Sequence, residues 1–311
     1  MKTAVAGGTG FLGRHIVNAL LHDGHEVRVL SRDPDKVGSI LELTGATSTR
    51  ADVTDPASLA GTLEGVEAVV SAVQFPNYPM ELPRRRLTFD RYDRYGTENL
   101  LAEAKRAGVT KYAYISGAGV DPTSDKSWYR AKGLAELAIK DSGLDYALIR
   151  PSWAYGPEDK ALNKFRMIAR ISPVVPQPGV RPQRIQPVHV DDIATTVARI
   201  FERSAWNETY EIGGPDVMTM TSVIRTMLEV MGIRRLIVPV PAPLLKIATA
   251  PLVLLPKPPL TPGGVEFAIQ DGLVDNTTLE KLLEVHPVPL KEGLSRYLKH
   301  EDYLEFVRRR R

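Results

Sequence analysis

Glycines at positions 7, 10 and 13 separate a short apolar run, Thr3 to Ala6, from an amphipathic stretch carrying Ile16, Val17, Leu20 and Leu21. Residues of this type at this spacing bind phosphate. Glycine at a strand-to-helix turn permits backbone angles and close approaches that a Cβ blocks, so a pyrophosphate can lie against N–H groups at the positive end of the helix. Gly7, Thr9, Gly10, Phe11, Leu12 and Gly13 make up the expected cradle. Three glycines alone are a weak signal, but here a second apolar run, Glu26–Leu30, follows the helix, and that context specifies a dinucleotide.

The residues after that second strand select the dinucleotide. An NAD site ordinarily places an acid there, about 20 residues beyond the glycines, to bond the ribose 2′-hydroxyl. This chain has Ser31-Arg32. A carboxylate would repel a 2′-phosphate, whereas a hydroxyl and a guanidinium would bind it, so the expected cofactor is NADP(H). Arg14, just inside the first helix, either adds a second positive charge or lies along the helix surface.

The elements that must position these residues alternate strand and helix, which predicts an α/β Rossmann fold, a doubly wound parallel sheet of about seven strands. Expected strands are Lys2–Ala6, Glu26–Leu30, Thr47–Arg50, Ala68–Val73, Lys111–Ser116, Tyr146–Arg150 and Thr209–Ile212. Expected helices include Pro56–Leu63, Arg91–Ala107, Ala131–Asp141 and Val190–Arg203. Residues 1–151 and 189–214 are expected to form the nucleotide domain, and 152–188 with 215–311 a smaller lobe for substrate or partner. The 311 residues suffice for both.

Composition excludes several classes. The 40 basic and 37 acidic residues leave a net charge of +3, too little for a nucleic-acid partner, despite Arg84-Arg85-Arg86 and Arg308–Arg311. The absence of cysteine rules out disulfides and thiolate chemistry, and the six histidines lack metal-ligand spacing. The first strand begins at the N-terminus, which reads as no signal peptide and makes the cytoplasm the expected compartment.

Six ordered segments resemble the extended and atypical short-chain dehydrogenase/reductase superfamily, of epimerase/dehydratase type. They are the glycine loop, Ala51-Asp52-Val53, Gly96 to Leu101 with Ala107-Gly108-Val109, Tyr114-Ile115-Ser116, Arg150-Pro151-Ser152 with Tyr155-Gly156-Pro157, and Val188 to Ala194. Within the superfamily, Leu260-Thr261-Pro262, Asp275-Asn276 and Pro287 to Leu294 are similar to NADPH-binding accessory subunits of respiratory complex I and their bacterial relatives. The resemblance implies adenine contacts at Asp52 and Val53. It also implies cofactor contacts at the strand ends Ser71, Ala72, Val73, Ser116 and Pro151, and a ribose contact at Lys132.

Enzymes of that superfamily use a Tyr-x-x-x-Lys pair, the phenol exchanging a proton with substrate while the lysine lowers its pKa. This chain reads Trp128-Tyr129-Arg130-Ala131-Lys132. An indole N–H cannot act as that acid, and Tyr129 is rotated about 100° around the helix from the expected position. The superfamily's catalytic serine falls on Ala118. Catalytic candidates are thus Lys132 and a displaced Tyr129, with Trp128 either in a substrate pocket or packed on the loop 74–87.

Leu236–Leu255 holds one charge, Lys246, in 20 residues, and Pro239, Pro241, Pro243 and Pro251 interrupt it. That makes a regular spanning helix unfavourable. Three readings are open: an apolar wall of the small lobe, an interfacial segment docking on a membrane or membrane complex, or a lid over a hydrophobic substrate. The expected function is accordingly an NADP(H)-binding protein whose cofactor is structural or regulatory, at the periphery of a respiratory complex. The alternatives are a reductase or epimerase for a hydrophobic carbonyl or quinone-like molecule, and an NADP(H) redox sensor.

Overall fold

The structure, a computed structural model, describes residues 1–181, 183–255 and 261–298. Arg308–Arg311 and Leu260 lie outside the described residues. Strand β1 (Lys2–Ala6) runs through the glycine loop into α1 (Phe11–His22). Then come β2 (Glu26–Ser31), β3 (Thr47–Arg50), α2 (Pro56–Leu59), β4 (Ala68–Ser71), α3 (Gly96–Arg106), β5 (Lys111–Ile115), α4 (Ser127–Lys140) and β6 (Asp145–Pro151). A second unit begins with β7 (Trp153–Tyr155), α5 (Lys160–Ile171), β8 (Val174–Pro178), β9 (Arg184–Ile185) and β10 (Pro187–His189). The chain returns to the first unit for α6 (Val190–Arg203) and β11 (Glu208–Ile212). It then adds β12 (Met218–Thr219), α7 (Met220–Val230), β13 (Leu236–Val240), α8 (Ala242–Thr249) and α9 (Pro262–Ala268) to the second. Helix α10 (Thr277–Leu283) belongs to the first unit and α11 (Leu290–Ser295) to the second.

In the first unit seven parallel strands form one sheet in the order β11-β6-β5-β4-β1-β2-β3. Continuous apolar strands such as Ala4-Val5-Ala6 and Ala68-Val69-Val70 are buried, as a sheet covered on both faces requires. The order reverses beside β1: the chain crosses to β2 on one side and later to β4 on the other. Such a switch point leaves a crevice beyond the strand C-termini, and the glycine loop lies there.

Three local expectations change. Pro56–Leu63 is helical only to Leu59, because Gly61 follows in the left-handed region at φ +78°. The helix expected from Arg91 opens with a π-turn, Asp90–Tyr95, before α3. Helix α4 begins at Ser127, so Trp128 and Tyr129 sit in its first turn. The domain division also differs: residues 274–286, expected in the smaller lobe, belong to the first unit. There the Asp275 N–H donates to Glu211 at 2.8 Å and Glu284 pairs with Arg203 at 2.6 Å.

The second unit has its own core, including Tyr155, Val175, Ile185, Ile224, Met227 and Leu294. Parallel pairs β7/β10 and β8/β13 and the antiparallel pair β9/β12 flank it. Asp159 caps α5 by accepting from Ala161 and Leu162 N–H at 2.8 and 2.7 Å. Burial nevertheless raises this carboxyl from 3.8 to about 6, the backbone bonds opposing it. A raised folded-state pKa means that the folded chain holds this proton more tightly than the unfolded chain. Its contribution to stability is therefore present below the unfolded value and is lost as pH rises through about 6. Asp159→Asn keeps an acceptor but cannot ionise, and should flatten that part of the profile of melting temperature against pH measured by thermal denaturation.

Candidate cofactor-binding site

The cradle is built by crowding. Gly7 sits at φ +78°, and a Cβ there would strike the Ala72 carbonyl; a Cβ on Gly13 would strike the backbone of Gly7 and Gly8. At Gly10 a Cβ would meet only the Gly7 carbonyl, at 3.0 Å, so this exposed residue leaves room beside the loop. Gly10 N–H donates to Gly7 O at 2.9 Å and Arg14 N–H to Gly10 O at 3.1 Å. Helix α1 starts at Gly10 with no side-chain cap. The N–H groups of its first turn, at Phe11, Leu12 and Gly13, have no acceptor within the helix, which suits a pyrophosphate. Thr9 lies half-buried in the same loop.

At the end of β2, Ser31 is buried, its hydroxyl donating to Asp33 O at 3.0 Å and accepting Asp33 N–H at 3.1 Å. Arg32 is exposed beside it. The register of β2 on β3 opposes Ser31 to Arg50, whose guanidinium donates to the Arg32 carbonyl at 3.0 Å. Two guanidinium-bearing residues therefore meet at this corner, and the second is visible only once the register is known. Arg14 is drawn the other way, donating to Thr9 O and Gly10 O at 3.4 Å each. The nearby Asp33 carboxylate pairs with Lys36 at 3.2 Å.

Asp52 spends one carboxylate oxygen on its own turn, accepting Thr54 N–H and hydroxyl at 2.9 Å each. Val53 packs under Gly96, where a Cβ would clash with it, and its carbonyl accepts from Asn99 at 2.9 Å. The strand ends follow in order. Ser71 is buried at the end of β4, and Ala72 N–H donates to Ala6 O at 2.9 Å, with Val73 next to it half-buried. Ser116 N–H donates to Ile149 O at 2.7 Å, and Ala118 N–H to the Pro151 carbonyl at 2.9 Å. The Ser116 hydroxyl is buried with no hydrogen-bond partner among the described residues, an orphan that a bound ligand would satisfy.

Lys132 is buried, only 3% exposed. Its ammonium lies 3.0 Å from Asp93 Oδ1, donates to Ile115 O at 3.1 Å, and stands 3.5 Å from the Tyr114 hydroxyl over that ring. Asp93 comes from the π-turn, with its side chain fully buried. Burial pushes this carboxyl above the usual range, partly opposed by the Lys132 charge. An ammonium has three N–H bonds; two have close acceptors and the third has only the Tyr114 hydroxyl at 3.5 Å, a long contact that a ribose hydroxyl would improve on. Asp93 is absent from any reading by motif. The signal it does carry is its place on the apolar stripe continued by Thr97, Leu100 and Ala104.

Trp128 occupies the tyrosine position. Its ring packs on Gly117, where a Cβ would come within 2.9 Å, and joins the aromatic cluster of Phe75 and Phe89 with Tyr78 and Tyr92. The loop-packing alternative thus describes it. Tyr129 stacks edge-on to Trp128, with centroids 4.4 Å apart, and faces Gly119 instead of the strand ends. The structure does not bring it together with Lys132. Among the described residues no group of three or more acids and histidines could hold a metal ion.

A family model described as NAD(P)H-binding matches residues 7–203, from the cradle through α6. The chain belongs to this family. It is 28% identical over 254 residues to a mitochondrial NADH dehydrogenase [ubiquinone] 1 alpha subcomplex subunit 9 of Arabidopsis thaliana, covering 79% of this chain and 62% of that protein. It is 30% identical over 246 residues to a ceramide reductase of Caulobacter vibrioides, covering 77% of this chain and 74% of that one. The crystal structure of an NADPH-dependent quinone oxidoreductase from Escherichia coli, complexed with NADPH, superposes with a TM-score of 0.73 at 23% identity. That match covers 94% of this chain and 99% of the other. The fold is therefore that of the epimerases and short-chain reductases, and the chain binds a nicotinamide dinucleotide.

Removing one partner of a buried ion pair leaves the other charge uncompensated, at a cost of roughly 3–5 kcal/mol. Asp93→Asn should lower the melting temperature of the cofactor-free protein, with NADPH recovering part of the loss by supplying Lys132 with hydroxyl acceptors. Differential scanning calorimetry with and without NADPH reads both effects.

Proposed function

We propose that this chain binds NADP(H) as a structural or regulatory cofactor and turns it over slowly or not at all, at the periphery of a respiratory membrane complex. The observation that carries the reading is the ion pair between Lys132 and Asp93, 3.0 Å apart and buried. In a Tyr-x-x-x-Lys site the lysine acts through its positive field on the phenol, and a carboxylate at this distance cancels much of that field. Trp128 and Ala118 remove the phenol and the serine as well. What remains fits binding: the loop for pyrophosphate, Ser31 with Arg32 and Arg50 for a 2′-phosphate, Ser116 and Lys132 for the nicotinamide ribose. Bound NADPH supplies a hydride, but none of these residues offers the proton that carbonyl reduction also needs.

Attachment to a membrane complex is supported by the name of the Arabidopsis relative and by the apolar segment Leu236–Leu255. That segment is a strand, a helix and a 3-10 turn with Leu236, Leu244, Ile247 and Leu254 exposed, which supports the interfacial reading among the three. No helix among the described residues is long and apolar enough to cross a membrane. A second reading, a reductase for a hydrophobic carbonyl or quinone-like substrate, is favoured by the phenol of Tyr78. That phenol packs in the same aromatic cluster as Trp128, although burial, the Asp93 charge and Tyr129 raise its pKa well above the ordinary value and so weaken it as an acid.

NADPH should bind more tightly than NADH in calorimetric titration. Arg32→Ala should weaken NADPH selectively by roughly 1.5–3 kcal/mol, the worth of a charged hydrogen bond, and Ser31→Asp should reverse the preference. Equal affinities of the wild type would remove the NADP(H) assignment. With NADPH saturating, quinones and aldehydes should be reduced far below the roughly 10 per second of an ordinary enzyme. A wild type working at that rate, and losing it in Tyr78→Phe, would establish the reductase instead.

A further inference from the structure

The exposed apolar segment does not stand alone in the second unit. Helix α5 carries Lys160, Lys164, Met167 and Ile171 at positions that fall within an arc of about 60°, and all four are exposed while Leu162 and Ala169 opposite them are buried. The helix runs into β8, which pairs along its whole length with β13, and Leu236 N–H donates to Pro173 O at 3.0 Å. The end of the α5 stripe is thereby brought beside Leu236, and the chain that follows carries Val238, Leu244, Ile247 and Leu254, all exposed. Exposure is high throughout: 57% at Met167, 66% at Ile171, 72% at Ile247 and 81% at Leu254.

Charge says what this face fits. Residues 160–181 and 231–255 contain eight basic residues and no acid. Of the acids outside these two stretches, one pairs with the lysine of α8 and two adjoin the start of α5. Glu266 of α9 pairs with Lys246 at 3.3 Å, the buried Asp159 is committed to the α5 cap, and Glu158 precedes it. Arg235 turns inward to donate to Ala169 O at 2.7 Å. Lys160, Lys164, Arg181 and Arg234 remain exposed around the aliphatic residues.

We infer that the face formed by α5, the β8/β13 ribbon and α8 docks on an anionic bilayer surface, its aliphatic side chains entering the interface and its lysines and arginines meeting lipid phosphates. The inference rests on the peripheral location proposed above and names lipid as what is touched. Cationic flanks around an aliphatic patch are what such a surface requires. Protein contacts instead concentrate aromatic side chains at their centre, and residues 231–255 hold none.

Flotation of the full chain with phosphatidylcholine vesicles, and with vesicles containing about a third phosphatidylglycerol, tests this in low and high salt. Partitioning should be at least about tenfold stronger on the anionic vesicles at low salt, and Lys160→Glu/Lys164→Glu should remove most of that difference. Ile171→Asp/Leu254→Asp should abolish binding to both. Each exposed-site variant is checked by its thermal shift with NADPH, and the salt dependence of the wild type needs no variant. Equal partitioning on the two vesicles, or variants that bind like wild type, would overturn the inference. No binding to either vesicle with the NADPH shift intact would also overturn it and give the face to a protein partner, without touching the cofactor reading. The peripheral location is tested separately, by whether the chain fractionates with native membranes.

Discussion

A buried ammonium beside a buried carboxylate organises the active end of the sheet. Taking either charge out of water costs several kcal/mol, and neither would be tolerated there without the other. Lys132 from α4 and Asp93 from the π-turn before α3 meet at 3.0 Å, and the Ile115 carbonyl at the end of β5 receives a second bond from the lysine. Three elements are thereby fixed at one point. The π-turn follows from the same demand: a widened turn is a common device where a functional side chain must be re-aimed, and here it supplies the acid. The Thr97 hydroxyl, donating to Asp93 O at 2.6 Å, ties that turn to α3.

On the reading proposed above, this pair separates binding from chemistry: a lysine held by a carboxylate would still donate to a ribose, while its field would no longer act freely on a neighbouring phenol. The rest of the site agrees. The glycine loop and the strand-end serines depend on backbone geometry and need no acid. Trp128, which stands at the tyrosine's place in the motif, packs into an aromatic cluster. On the inference drawn above, the exposed surface of the second unit is likewise one for contact: an aliphatic stripe bordered by cations, with no helix among the described residues long and apolar enough to cross a bilayer.

The sheet was largely legible in the sequence because its central parallel strands, buried on both faces, read as apolar runs, and all seven expected strands, the polar edge strand β3 included, occur within two residues of their expected ends. The glycine cradle was legible for a similar reason: only glycine fits at Gly7 and Gly13. Residues that depend on partners far along the chain were not. Arg50 joins Arg32 only through the β2/β3 register, and the stripe that carries Asp93 says that the residue is buried without saying that its partner is Lys132 of another helix. The cations of α5 gain meaning only when β8 is found paired with β13. Residues 274–286 return to the first unit with polar contacts at Glu211 and Arg203 and with Leu279, Leu283 and Val285 buried; so short an apolar pattern predicts a helix without saying which unit it packs on.

The most direct test is a crystal structure of the NADPH complex, read at Lys132. The account predicts that the ammonium keeps its contact with Asp93 at about 3 Å while donating to the nicotinamide ribose. It also predicts that no phenol or serine hydroxyl comes within hydrogen-bond reach, about 3.2 Å, of a carbonyl oxygen placed over the nicotinamide C4. Lys132 released from Asp93, with the hydroxyl of Tyr78 or Tyr129 brought within that distance, would contradict it.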